Sequence, residues 1–215
     1  MQEAVVFESA AEEIPMYVYA DENAKLRMAA AAIKEEIDPP PFGTATVLRL
    51  HSPRILIQQA QAVASALNWH GILMIEFIRD QKDGQWKVIE INGRPWLFFD
   101  FFRRAGLDFA HLLVKDLNGG LPEPDAIQTP RSFSLEPGYV HVDLGYAMKR
   151  AFDGNPADIE TLRTWLQTIT GSLSKNFYEG QDEGPAQLEW EELGKRWGLK
   201  PEAIGELVLE HCASY

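Results

Sequence analysis

Gly71 to Arg94, GILMIEFIRDQKDGQWKVIEINGR, consists of two apolar runs about a polar turn, and the fold is decided by how it is read. Strand side chains alternate between faces, so Glu90 and Asn92, two apart, share a face while Ile89 and Ile91 point into the opposite layer. A hairpin turning about Asp83 in Gln81-Lys82-Asp83-Gly84-Gln85 pairs positions that sum to about 166, which sets Glu76 opposite Glu90. Two carboxylates so placed repel unless a cation lies between them. Oxygen ligands suit a hard divalent ion that keeps water and substrate phosphate in its shell, so Glu76, Glu90 and Asn92 are the candidate ligands of a magnesium ion.

The 215 residues suffice for one full core or two modest domains, and 46% hydrophobic with 24% charged residues is ordinary for a globular protein. The formal charge of −12 and pI near 4.9 argue against a nucleic-acid or anionic-membrane partner, because counterion release needs clustered Lys and Arg. A polyphosphate ligand would approach only with metal. Cys212, the single cysteine, excludes an internal disulfide and a multi-cysteine zinc site, and fits a free thiol in a reducing compartment. The start, MQEAVVFESAAEE, has no basic region, and no apolar run approaches the roughly 18 residues of a membrane span, so a cytoplasmic location is expected.

Around the hairpin, Val5-Val6-Phe7 and Met16-Tyr17-Val18-Tyr19 read as strands, with a turn at Asp21-Glu22-Asn23. Alanine-rich Arg27 to Glu36 has helical propensity, and Asp38-Pro39-Pro40-Pro41-Phe42-Gly43 reads as a rigid extended segment. Ser52-Pro53 starts a helix with Leu56, Ala60, Val63 and Leu67 on one face. Leu97 to Phe102 is very apolar before the helix stop Gly106, and Asp108 caps another helix, ended by Asn118-Gly119-Gly120. Leu121 to Pro137, with four prolines, reads as a linker or strap. Asn155-Pro156 opens a helix with Ile159, Leu162, Leu166 and Ile169 on one face. Asn176 to Glu192 carries six acidic residues and no Lys or Arg, so it begins as an exposed loop. Two amphipathic segments, broken at Gly198-Leu199-Lys200-Pro201, end the chain.

The central stretch resembles the C-terminal half of an ATP-grasp domain, the fold of carboxylate–amine ligases and of the carbamoyl-phosphate synthetase large subunit. The resemblance is carried by the helix before Gly71, then G-x-x-x-x-E-F, the turn with Asp83-Gly84, Ile89-Glu90-Ile91-Asn92-Gly93-Arg94, and Gly106-Leu107-Asp108. In the family the pattern usually reads EINPR; here Gly93 replaces the proline. Pro39-Pro40-Pro41-Phe42-Gly43 resembles a loop of carbamoyl-phosphate-synthetase-like members, and Gln2-Glu3 resembles the hinge whose backbone holds adenine. The resemblance covers roughly residues 2 to 120 and implies an α+β fold, an antiparallel sheet with flanking helices over residues 1–120; the prolines and amphipathic segments after it make 121–215 a linker and mainly helical extension. The resemblance implies ATP and magnesium as cofactors, with Glu76, Glu90 and Asn92 as metal ligands, Arg94 as the catalytic residue near the transferred phosphoryl group, and Gln2, Glu3 and Arg94 binding the nucleotide. The implied reaction joins a carboxylate to an amine through an acyl phosphate.

The glycine-rich loop and lysine that the family takes from its first half do not occur, so half a cleft is expected, completed by an N-terminal half or a partner chain. Little turnover is expected of the isolated chain. A noncatalytic nucleotide- or protein-binding module is the alternative use of such a half-fold. Arg94 has a second reading as an ion bridge to Glu90, and Glu76 as an outward solvated residue. Trp96, Phe98, Phe99, Phe101 and Phe102 read as core rather than as a stacking surface. His51, His70, His111, His141 and His211 are too scattered for a zinc site. Residues 192–211 have the look of a helix-turn-helix, but Pro201 to His211 lacks Lys and Arg and holds Glu202, Glu206 and Glu210, which repel phosphates. A helical cap or homo-oligomer contact is the expected use of that end.

Overall fold

A computed structural model of the chain describes residues 13–40, 43–51, 53–119, 121, 127–129, 139–169, 172–173 and 184–211. Its first part runs β1 (Glu13–Ala20), β2 (Leu26–Asp38), β3 (Thr44–His51), α1 (Arg54–Leu67), β4 (Gly71–Arg79), β5 (Trp86–Asn92), α2 (Phe99–Arg104) and α3 (Phe109–Leu117). Then follow β6 (Tyr139–Val142), α4 (Leu144–Ala151), α5 (Ile159–Leu166), β7 (Ser172–Leu173), α6 (Gly184–Trp197) and α7 (Pro201–His211). The strands form one sheet in the order β5-β4-β1-β2-β3-β6-β7. All neighbours are antiparallel except β6 and β7. The α+β class is the one that the resemblance implies.

Alternation sorts the sheet into two faces. Ile14, Met16 and Val18 of β1 and Leu73, Ile75 and Phe77 of β4 pack on Leu56, Ala60 and Ala64 of α1. Tyr17, Tyr19, Ile72 and Met74 turn the other way, onto an aromatic layer of Trp96, Phe101, Phe102 and Phe109. The Trp96 ring centroid lies 4.5 Å from Tyr17 and 5.1 Å from Phe109. These aromatics are core, as read. Tyr19 donates to Asp116 Oδ2 at 2.7 Å, and His70 meets the same oxygen at 2.8 Å, which ties α3 to the sheet.

Arg27 to Glu36 lies in a strand, not a helix. Ala29, Ala30, Ala31 and Ala32 are all fully buried, odd numbers toward α1 and even numbers toward the aromatic layer. The helix preference of alanine is worth only a fraction of a kcal/mol per residue. Burial on both faces between two paired strands outweighs it, and methyl-sized side chains let both layers approach. Asp38 pairs with Thr44, so β2 and β3 form a hairpin; of the segment Asp38 to Gly43, residues 41 and 42 lie outside the described residues. A Cβ on Gly43 would stand 2.2 Å from the Asp38 carbonyl carbon.

Other boundaries move by a few residues. On α1 the buried face is Leu56, Ala60 and Ala64, while Leu67 is half exposed. Asp21 forms the expected turn, its Oδ1 accepting from the amides of Asn23 and Lys25 and its Oδ2 from Arg27 at 2.9 Å. Asp108 caps α3 as expected. The α5 cap is Asp158, which accepts from the Thr161 amide and hydroxyl, both at 2.9 Å. Asn155 instead donates to Ala151 O at the end of α4. In the segment read as a strap, Gln128 bridges β2 through backbone bonds with Arg27 and Ala29. Val5 to Phe7, Gln2, Glu3 and Cys212 fall outside the described residues. No helix among the described residues is long and apolar enough to cross a membrane.

Candidate metal and nucleotide site

The β4–β5 hairpin pairs Met74 with Asn92, Ile75 with Ile91, and Glu76 with Glu90, the register read from the sequence. Beyond Glu76 the register shifts, and Phe77 faces Val88. Ile89 is therefore the extra residue of a β-bulge, and it lines the same cavity as Glu90 instead of the opposite layer. Ile91 keeps the opposite face but is 42% exposed.

Glu76 follows Ile72 and Met74 on the aromatic-layer face. Alternation brings Glu13 and Tyr17 of β1, and Lys34 of β2 in line with Ala30 and Ala32, to the same face. With Glu90, Arg94 and Trp96 they line a cavity of about 510 Å³. The Lys34 ammonium is in contact with the Glu13 carboxylate and 3.6 Å from Glu76 Oε1. Burial pushes the Glu76 carboxyl up to about 7; Lys34 opposes this, while Glu13 and Glu90 add to it. Burial, then the charges of Glu76 and Glu13, also push the Tyr17 phenol up, so it stays a neutral donor. Asn92 Nδ2 donates to Glu90 Oε1 at 2.8 Å, which leaves its amide oxygen as an acceptor.

Arg94 lines the cavity and makes no ion bridge to Glu90; its guanidinium donates to Pro95 O at 3.3 Å. The Trp96 indole N–H is buried without an acceptor among the described residues. Glu13 and Tyr17 escaped the sequence reading because nothing local shows that β1 pairs beside β4, and Lys34 because that reading left Arg27 to Glu36 open to helix. As a strand, the same residues place Lys34 on the site face. At Gly93 a Cβ would stand 2.4 Å from the Trp69 ring, whose N–H donates to Ile72 O at 3.2 Å. That ring accounts for glycine where EINPR has proline.

Hard oxygen donors, two of them carboxylates forced into cross-strand register with one desolvated, fit a small divalent cation. Among the described residues, no three His, Cys, Asp or Glu side chains gather closely enough to hold one by themselves. The candidate set is two carboxylates and an amide.

No protein-family model matches the chain, and no curated protein matches its sequence. Solved structures are similar in part. A pyruvate carboxylase from Rhizobium etli, with acetyl coenzyme-A, matches at TM-score 0.43 and 16% identity over 55% of this chain and 12% of its own. The phosphoribosylaminoimidazole carboxylase ATPase subunit from Aquifex aeolicus matches at 0.43 and 14%, over 53% of this chain and 36% of its own. The biotin carboxylase domain of Hydrogenobacter thermophilus 2-oxoglutarate carboxylase, in complex with MgADP, ADP and bicarbonate, matches at 0.40 and 17%, over 54% and 26%. The chain thus spans about a third or less of these structures, and the likeness is one of partial fold.

Proposed function

We propose that this chain carries one wall of an ATP-grasp cleft, over residues 1–120, in an ATP- and magnesium-dependent ligase that joins a carboxylate to an amine in the cytoplasm. The observation that carries this reading is the pairing of Glu76 with Glu90 at the cavity wall, with Asn92 at the end of the same strand and Arg94 two residues beyond it. Glu76, Glu90 and Asn92 are the residues to hold magnesium, which when bound supplies neutralisation of phosphate charge. Arg94 is the residue proposed to attract the transferring phosphoryl oxygens and an incoming carboxylate. Tyr17 stays neutral and Lys34 offsets the acids, so this wall can bind anions despite its carboxylates. Gln2 and Glu3 are proposed to meet the adenine, and an N-terminal half or partner chain to close the other wall.

In the reaction, a carboxylate oxygen bonds to the γ-phosphorus as the bond to the bridging oxygen breaks and ADP leaves. The amine then bonds the acyl carbon, phosphate departs, and the amine loses a proton. The cation and Arg94 concern only the first step.

Thermal melting of the full chain with magnesium and ATP tests the reading. The midpoint rises with nucleotide by mass action, and Glu90→Gln loses the rise. An unchanged midpoint at millimolar nucleotide overturns it. A rise without carboxylate-dependent ADP release, once the missing half is supplied, assigns the chain to the noncatalytic nucleotide-binding alternative.

A further inference from the structure

Beside the cavity that holds Glu76 and Glu90 lies a second, of about 380 Å³, and Thr44, Ala45 and Leu97 belong to the walls of both. Thr44 and Ala45, at the start of β3, are small, and Leu97 is 71% exposed. The far wall comes from α4 and α6, through Tyr146, Lys149 and Arg196. The segment after the motif-bearing portion thereby closes one side of a space adjoining the candidate site.

The charged groups of this second cavity are not equally committed. The Asp143 carboxylate accepts from the Tyr146 amide at 2.7 Å as the α4 cap. Lys149 Nζ is held by both oxygens of Asp38, at 2.7 and 2.9 Å. Arg196 has no carboxylate partner among the described residues, and its guanidinium lies 5.6 Å from the centre of the Trp197 ring. In a chain of net charge −12, an arginine at a cavity whose two acids, Asp38 and Asp143, are taken by Lys149 and the Tyr146 amide is arranged for an anion from outside, and a guanidinium matches a carboxylate in a two-point contact. Arg94 stands in the same condition at the first cavity. Between the two arginines the shared wall offers the methyl of Ala45 and the side chain of Leu97, which suit methylene groups.

We infer that the two cavities together take one elongated substrate with a carboxylate at each end. One end lies at Arg94, where phosphoryl transfer is proposed, and the other on Arg196. The role of the first end rests on the ATP-dependent reading above; the anion at Arg196 rests on the second cavity alone.

Calorimetric titration of the full chain with glutarate, adipate and pimelate, and with the matching monocarboxylates pentanoate, hexanoate and heptanoate, tests this with and without magnesium and a non-hydrolysable ATP analogue. At least one diacid binds roughly tenfold or more tightly than its monoacid. Arg196→Gln removes that preference, Arg196→Lys keeps part of it, and both leave nucleotide binding unchanged. Equal binding of diacids and monoacids, binding of neither class, or a preference that survives in Arg196→Gln overturns the inference. Nucleotide binding alongside any of those results leaves the ATP reading standing. A diacid preference lost in Arg196→Gln, in a chain that binds no nucleotide, upholds the Arg196 subsite and removes the ATP reading.

Discussion

The Glu76 carboxylate lies 3.6 Å from the Lys34 ammonium, and still its proton is held to about pH 7, because burial and the acids beside it outweigh that one cation. The consequence for stability has a definite sign. Between about 4.5 and 7 the folded chain binds more protons at this position than the unfolded chain, so stability falls as pH rises through that window and is level above it. In metal-free buffer, Glu76→Gln removes that slope and is the more stable protein at pH 8, by on the order of 1–3 kcal/mol. Urea midpoints of both proteins at pH 5 and pH 8 check this, and parallel pH dependences would show that the Glu76 charge carries no such cost. Glu76 and Glu90 were legible as a facing pair because strand alternation and turn position are local properties. Lys34 was not, because it comes beside Glu76 only through β1, which pairs with both β2 and β4.

At the scale of the element, the hairpin is shaped by its bulge and by what packs behind it. The shift after Glu76 puts Ile89 beside Glu90 at the cavity, a change of face that simple alternation does not foresee. Gly93 is set by the Trp69 ring, whose carbon would lie 2.4 Å from any Cβ there. Gly93→Ala therefore costs about 1–3 kcal/mol through overpacking, and the companion change Trp69→Leu relieves part of it. Denaturant unfolding of the single and double variants measures the coupling, and additive costs would count against the contact. The β2 strand makes the reverse point. Its alanines carry no amphipathic signal, so propensity suggested helix where pairing with β1 and β3 imposed strand.

At the scale of the whole molecule, β6 continues the sheet beyond β3, pairing Val142 with Val47, and the Asp143 amide donates to Thr46 O at 2.8 Å. Leu162, Ile204 and Leu207 are fully buried in a separate cluster among α4 to α7. Tyr146 reaches back to Glu36, and Lys149 to Asp38. These links predict that the later helices and the sheet unfold together. Leu162→Ala then lowers one common transition, at a cost of about 2–5 kcal/mol, read alike by far-ultraviolet circular dichroism and tryptophan fluorescence. Two separated transitions would mean that the clusters unfold independently. Neither β6 nor α4 was read from the sequence, and β6, only four residues long, is too short to show a period.

The sequence by itself determined the hairpin, its register at Glu76 and Glu90, the turn at Asp21, the cap at Asp108 and the aromatic core. Each of these follows from local periodicity, turn chemistry or side-chain type within a few residues. Tertiary structure alone decided that the alanine run is a strand, that Lys34 and Glu13 face Glu76, that Trp69 demands Gly93, and that Arg196 borders the cavity next to the site. Those outcomes depend on which distant segments become neighbours, and the free energy of burial between them exceeds the local preferences a sequence displays.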